Sequence, residues 1–263
     1  MEVCKICGSK VAPHCSTQVL SKYTVTYYRC TVCDLIAPET PYWLDEAYSS
    51  AITRLDIGLI IRNELMVSAT QAVIKSWFNL KARFIDYGGG YGMLVRMMRD
   101  RGFDYYRQDI HCENLFAESF DVADTPGFKA ELLTAFEVFE HLVDPVSEMQ
   151  KMLELSDSIL FSTTVQPSPD VTPASWWYYI PETGQHVSLY SRKSLQALAN
   201  RFGLNYYWNE QNLHLFTPKK ISSAWFRAIT HPQLGKIYNL INRQSTTLLT
   251  TDFDKINTTK VIS

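Results

Sequence analysis

The chain has 263 residues, 46% of them hydrophobic and 20% charged, with a formal net charge of −2 and a pI near 6.3. Such a balance excludes a disordered or collagen-like chain and leaves no global field that would recruit nucleic acid or an anionic membrane. The length suffices for one α/β domain with a small appendage, and no apolar run is long enough to span a bilayer.

Two cysteine pairs come first. Cys4-Lys5-Ile6-Cys7-Gly8 and Cys30-Thr31-Val32-Cys33-Asp34 each place two thiols two residues apart. That spacing lets both sulfurs of a pair turn toward one tetrahedral ion, and Gly8 permits the tight turn behind the second ligand. The expected ion is a structural Zn2+ in a closed four-thiolate site, which has no open position for catalysis. No secretory signal precedes Cys4, so a disulfide pairing is disfavoured and a cytoplasmic location is expected. The duplication argues against a CxxC redox site. His14 and Cys15 are alternative ligands. Val25–Arg29 reads as a strand that delivers Cys30.

After Glu39-Thr40-Pro41-Tyr42-Trp43-Leu44, helical periodicity is expected from Asp45 to Arg54 and from Ile57 to Leu80, forming a cap; Tyr42, Trp43 and Tyr48 read as packing residues. Ala82–Tyr87 then runs as a strand into Gly88-Gly89-Gly90-Tyr91-Gly92 and a helix to about Arg101. A glycine turn between strand and helix lets the backbone approach a ligand closely. Phe103–Asp109 is a second strand ending in an acid, placed to accept hydrogen bonds from the ribose hydroxyls of an adenosine cofactor. The glycines stand at 88, 90 and 92 where a dinucleotide fingerprint counted from Gly88 would want 88, 90 and 93, and no phosphate-binding Lys-Ser/Thr follows.

The run Asp86-x-Gly88-x-Gly90-x-Gly92 resembles the first motif of class I S-adenosylmethionine-dependent methyltransferases. Glu137-Val138-Phe139-Glu140-His141-Leu142-Val143-Asp144-Pro145, after the strand Ala130–Phe136, is similar to the segment that follows strand four in many small-molecule members. The resemblance covers roughly residues 57 to 220. It implies a Rossmann-like, seven-stranded mixed sheet carrying a zinc-ribbon-like N-terminal module and a helical cap. The segments implied are 1–40 (zinc module), 41–80 (connector and cap), 81–220 (cofactor-binding core) and 221–263 (C-terminal helix and tail). Cofactor contacts fall on Asp86, Gly88, Gly90, Gly92, Asp109, Phe136 and Glu137. No acid marks the adenine after strand three, where Asn114–Phe120 is apolar, so a sandwiched adenine is expected there.

Downstream, Asp157–Thr163 reads as strand five, Ser191–Phe202 as a helix capped by Ser191, and Leu204–Trp208 with Leu213–Thr217 as a closing hairpin. Trp176-Trp177-Tyr178-Tyr179 and Gln185-His186…Tyr190 resemble the substrate loop after strand five. The four aromatics are expected to form a platform for a sugar ring or other hydrophobic face, a plug under the sheet being the alternative, with Gln185 and Tyr190 as further substrate contacts. For a hydroxyl acceptor a base is needed; His186 ranks first, His141 second, with Glu140 orienting His141. A helix from Ala224 to Arg243 and a weakly patterned Gln244–Ser263 follow. Whether that end is a free tail or an arm onto another copy in a homo-oligomer stays open.

The function these features imply is methyl transfer to a hydroxyl of a sugar, nucleotide-sugar or surface polysaccharide. C-methylation of a keto-sugar, methylation of RNA through the zinc knuckles, and a non-catalytic binding module are the alternatives; the chain's charge weighs against RNA.

Overall fold

A computed structural model describes residues 2–48, 57–125, 127–242 and 246–260. The first elements are β1 (Val11–Val19), β2 (Tyr23–Cys30) and β3 (Ile36–Pro38), an antiparallel three-stranded sheet in the order β1-β2-β3. Leu20 and Ser21 make the hairpin turn with φ of 53° and 55°, the left-handed pair whose twist matches the flanking strands. Two helices come next, α1 (Leu44–Ala47) and α2 (Leu59–Trp77). The expected helix over Asp45–Arg54 therefore overlaps α1, and its second half lies outside the described residues.

The core then alternates strand and helix: β4 (Arg83–Tyr87), α3 (Met93–Arg99), β5 (Asp104–Gln108), β6 (Leu132–Ala135), α4 (Pro145–Leu155), β7 (Ile159–Ser162), α5 (Arg192–Arg201), β8 (Asn205–Trp208) and β9 (Leu213–Thr217). The main sheet has the order β5-β4-β6-β7-β9-β8, parallel at β4–β5 and β4–β6 and antiparallel at β8–β9. Strands β6 and β7 are buried throughout, as parallel strands covered on both faces must be. This is the α/β architecture expected of a class I methyltransferase.

The sheet has six strands among the described residues, where the resemblance implied seven. The third strand in chain order is reduced to one parallel bridge between Arg107 and Asp121. Ser119 has a left-handed φ of 70°, and Asp121 turns at once into the capping box of a 3-10 turn over Val122–Asp124, so no extended run can form there.

The chain closes with α6 (Ser223–Thr230), α7 (Pro232–Ile241) and α8 (Leu249–Lys260). The single helix expected from Ala224 onward breaks at His231, because Pro232 forces its predecessor out of the helical region and starts the next helix at its first position. Within the expected tail, the described residues include the helix α8. It is held by Asp252, which accepts from Arg99 Nε and Nη2 at 2.8 and 2.7 Å and from Arg96 Nη2 at 2.7 Å. Arg99 and Asp252 are both buried. Asp252→Ala would leave a buried guanidinium with only Asp104 as its ionic partner, so a loss of about 3 kcal/mol is expected in urea unfolding. An unchanged urea midpoint would contradict that role.

The chain divides into two compact units. The first comprises Met1–Asp56, Glu137–Lys151 and Phe161–Lys220; the second comprises Ile57–Phe136, Met152–Leu160 and Ile221–Ser263. Among the described residues, no helix is long and apolar enough to cross a membrane.

Candidate active site

In the second unit, β4 ends at a glycine turn whose conformation only glycine adopts easily. Gly88, Gly90 and Gly92 have φ of 66°, 53° and 85°. Gly88 N–H donates to Gln108 O at 2.8 Å, and Gly90 N–H donates to Asp109 Oδ2 at 2.9 Å. The other Asp109 oxygen accepts from the amides of His111 and Cys112, both at 2.8 Å. The carboxylate is thus fixed at the end of β5, and Oδ2 keeps a lone pair for a ligand hydroxyl.

Asp86 lies beneath this turn. Burial raises its carboxyl to about 7, while the Thr134 hydroxyl, donating to Oδ1 at 2.8 Å, opposes the rise. Gly89 has no room for a side chain: a Cβ there would stand 2.9 Å from Asp86 Oδ2 and 3.1 Å from its backbone oxygen. Arg107 fastens the loop from the other side, donating to Gly90 O at 2.6 Å, Cys112 O at 2.9 Å and Asp121 Oδ1 at 2.7 Å. Sequence reasoning passed over Gly89, Arg107 and Thr134. Of these, only Gly89, inside a run of three glycines, carried a signal in the sequence. Phe136, half-buried, follows β6 in this unit, and Leu115 and Phe116 are exposed on the apolar segment expected to sandwich adenine.

The first unit holds the histidines. Glu137 has a left-handed φ of 55°, and Ser162 clamps it: the Glu137 amide donates to Ser162 Oγ at 2.8 Å and that hydroxyl donates to Glu137 Oε1 at 2.6 Å. Strain of this kind is kept where neighbours over-determine the backbone. A 3-10 turn over Phe139–His141 follows. The Glu140 carbonyl accepts from the amides of Val187 and Ser188, Ser188 Oγ donates to Leu142 O, and the buried Tyr190 hydroxyl donates to Phe139 O. Residues 139–142 and 187–190 are therefore bound together as one piece.

Within that piece Glu140, His141 and His186 each bring one polar side-chain atom to within 4.8 Å of the others. Glu140 is fully buried, and among the described residues neither carboxylate oxygen has a hydrogen-bond partner. His141 Nδ1 stands 3.1 Å from Gln185 O and 3.1 Å from the Tyr48 hydroxyl; His186 Nδ1 stands 2.7 Å from Tyr178 O. A carbonyl only accepts, so an Nδ1 that bonds one carries the proton, and neither Nε2 then has a hydrogen-bond partner among the described residues. The rings meet edge to face with centroids 5.0 Å apart. Burial first, then the nearby His141, lowers the His186 imidazole to about 3, so His186 is neutral and weakly basic. His141 is half-buried. Tyr48, read from the sequence as packing, belongs to this group through its bond to His141.

The aromatic segment behaves differently from the expected platform. Trp176, Tyr178 and Tyr179 are buried, packed with Val19, Tyr27, Ile36 and Trp43 of the N-terminal segment, while Trp177 is 69% exposed. Tyr27 and Tyr179 meet edge to face at 5.1 Å, and the Tyr179 hydroxyl donates to Val171 O. Large rings gain most by leaving water, and β1–β3 supply the apolar surface that covers them. Gln185 uses its side-chain amide on Ala47 O at 2.8 Å.

The four cysteines come together, their Sγ atoms all within 4.8 Å of one another, with Cys4–Cys33 and Cys7–Cys30 at 3.5 Å. Sulfurs this close share protons, which lowers the Cys4 thiol to about 5 and raises that of Cys33. Backbone amides of Ile6, Val32 and Cys33 point at the sulfurs of Cys4 and Cys30. This donor set fits a thiophilic cation. His14 and Cys15 lie outside it, occupied with Val171 O and the Tyr179 hydroxyl.

Solved structures to which the chain is similar include magnesium protoporphyrin IX methyltransferase from Synechocystis with bound S-adenosylhomocysteine (11% identity, 66% of this chain and 90% of that chain, TM-score 0.43). Another is the plantazolicin methyltransferase with S-adenosylhomocysteine (10% identity, 60% and 84%, TM-score 0.43), and a third is mitomycin 7-O-methyltransferase (14% identity, 58% and 52%, TM-score 0.40). At that distance they bring neither substrate nor mechanism to this chain. No curated protein matches the sequence. Residues 61–208, which include the glycine turn, Asp109 and both histidines, match the model of the methyltransferase domain, and the chain belongs to that family of S-adenosylmethionine-dependent enzymes.

Proposed function

We propose that this methyltransferase acts on a hydroxyl group of a small, sugar-like acceptor: a sugar, a nucleotide-sugar or a surface polysaccharide. The observation that carries the reading is the gathering of Glu140, His141 and His186, each with one polar side-chain atom within 4.8 Å of the others, where the buried Glu140 carboxylate has no hydrogen-bond partner among the described residues. S-adenosylmethionine supplies the methyl group as an electrophile. The glycine turn and Asp109 hold its adenosine part, with Asp86, Phe136 and Glu137 as further contacts. A neutral hydroxyl attacks poorly, so its proton must be drawn off as the oxygen reacts.

His141 is the proton acceptor in this reading and Glu140 stabilises the imidazolium that forms. The sequence favoured His186 for this role, but its burial makes it the weaker base, and it serves better by packing its ring against His141. Gln185 holds His141 through its carbonyl, Trp177 offers the exposed aromatic face for a sugar ring, and Tyr190 fixes the turn. In the keto-sugar alternative the same group would remove a proton from the carbon beside a carbonyl. Zinc is the ion assigned to Cys4, Cys7, Cys30 and Cys33, and the segments 1–40, 41–80, 81–220 and 221–263 serve as metal module, connector, core and C-terminal appendage.

The test is single-turnover methyl transfer to a panel of sugars and nucleotide-sugars. His141→Ala is expected to lower the rate on a hydroxyl acceptor by about 100-fold or more while S-adenosylhomocysteine binds as before. A loss under tenfold would remove His141 from the role of base.

A further inference from the structure

We infer that Glu140, His141 and His186 form a binding site for a divalent transition-metal ion, separate from the four-cysteine cluster. The inference keeps the acceptor class proposed above and replaces His141 as the proton acceptor, because an ion on Nε2 occupies the lone pair which that role needs. One carboxylate and two imidazoles are the donor set that holds Fe(II), Zn(II), Mn(II) or Co(II) with coordination positions left open. Their three polar atoms lie within 4.8 Å of one another, whereas metal bonds of roughly 2.0–2.2 Å bring neighbouring ligands to a little over 3 Å, so a bound ion would draw the three side chains closer together.

Two observations point to a cation and not to a hydrogen-bonded triad alone. First, Glu140 is fully buried, yet among the described residues neither of its carboxylate oxygens has a hydrogen-bond partner. A buried carboxylate is ordinarily paired or bound to metal. Its backbone is locked by the Val187 and Ser188 amides, so it cannot swing out to water without breaking the piece it sits in. Second, both imidazoles spend Nδ1 on a backbone carbonyl, Gln185 O for His141 and Tyr178 O for His186. That is the outer support seen behind metal-bound histidines, which fixes the tautomer and leaves Nε2 as the ligand atom. The nitrogen ligands disfavour Mg2+ and Ca2+, which prefer oxygen.

In the loaded protein the Nε2 atoms hold the ion and do not take the acceptor's proton. A hydroxyl oxygen bound at an open position would become acidic enough to lose its proton to water near neutral pH. The acceptor class is unchanged.

Cobalt(II) loading of the metal-stripped, full-length protein, read by metal content and visible absorption, tests this. The wild type is expected to take up one equivalent more than Glu140→Gln and His186→Ala, both of which keep the intense thiolate band of the cysteine cluster. Equal uptake by the wild type and both site variants overturns the inference, whatever the cysteine cluster does. If uptake is equal and methyl transfer still depends on His141, the metal site falls while the base stands. Should Glu140→Gln lose its fold by circular dichroism, His186→Ala with the wild type carries the comparison.

Discussion

Cys33→Ser is expected to strip the cysteine-bound metal from the protein and to melt the N-terminal sheet with it. Cys4, Cys30 and Cys33 are buried. Two short antiparallel pairings and a 3-residue third strand offer little independent stability. A four-thiolate ion contributes folding free energy outright, on the order of 10 kcal/mol in small zinc domains. With three thiolates left, most of that is lost. The damage extends further in the same unit, because Val19, Val25 and Tyr27 of this sheet share one buried cluster with Trp176, Tyr178, Tyr179 and Val187. Ser191, which caps α5, also donates its hydroxyl to Cys33 O at 2.7 Å. The expected result is loss of the thiolate-bound equivalent by elemental analysis and a fall in melting temperature of well over about 10 °C, since roughly 1 kcal/mol moves it by 2–4 °C in a chain of this size. A serine variant that melts with the wild type would show that the cysteines hold no structural ion.

Gly92→Ala is expected to weaken S-adenosylhomocysteine binding by about 100-fold or more. Two costs add. The φ of 85° is left-handed, which costs an L-residue roughly 1–2 kcal/mol. The new Cβ would also stand 2.7 Å from Asn114 Oδ1 and 3.0 Å from Ala117 Cβ. Asn114 cannot easily yield: it accepts from Ala117 N at 2.9 Å and donates to Ala117 O at 2.7 Å and Asp121 Oδ2 at 3.1 Å. The turn must shift instead, carrying the first residues of α3 with it, and each tenfold in affinity is only about 1.4 kcal/mol. Gly90→Ala is the internal comparison. Its Cβ would meet nothing within 4 Å, so only the backbone term remains, and about a tenfold loss is expected. Calorimetry on both variants checks the order; equal losses would mean that the Asn114 contact does not decide the turn's shape.

Much of this molecule was legible because its signals are local. A glycine turn between an apolar strand and a helix, a duplicated CxxC and a serine before a helical run each follow from the chemistry of a few adjacent residues, and they place Gly88–Gly92, the cysteine cluster and the Ser191 cap. The missing strand was not legible, since it depends on a left-handed Ser119 and on Arg107 reaching Asp121. The aromatic segment misled for a related reason. Four bulky rings before a proline look alike whether they face a ligand or a second sheet, and the covering surface comes from β1–β3, well over a hundred residues earlier. The pairing of His141 with His186 could be guessed only as two separate candidates. That both turn Nδ1 to a carbonyl, and that Glu140 is sealed beside them without a partner, are properties of the folded turn alone.

The central claim is that the second unit binds an adenosine sulfonium through the glycine turn and Asp109. Isothermal calorimetry with S-adenosylhomocysteine, on the wild type and on Asp109→Ala, tests it most directly. The account predicts one site per chain in the wild type and at least about tenfold weaker binding once the Asp109 carboxylate is gone. A folded wild-type protein that takes up no S-adenosylhomocysteine would contradict it.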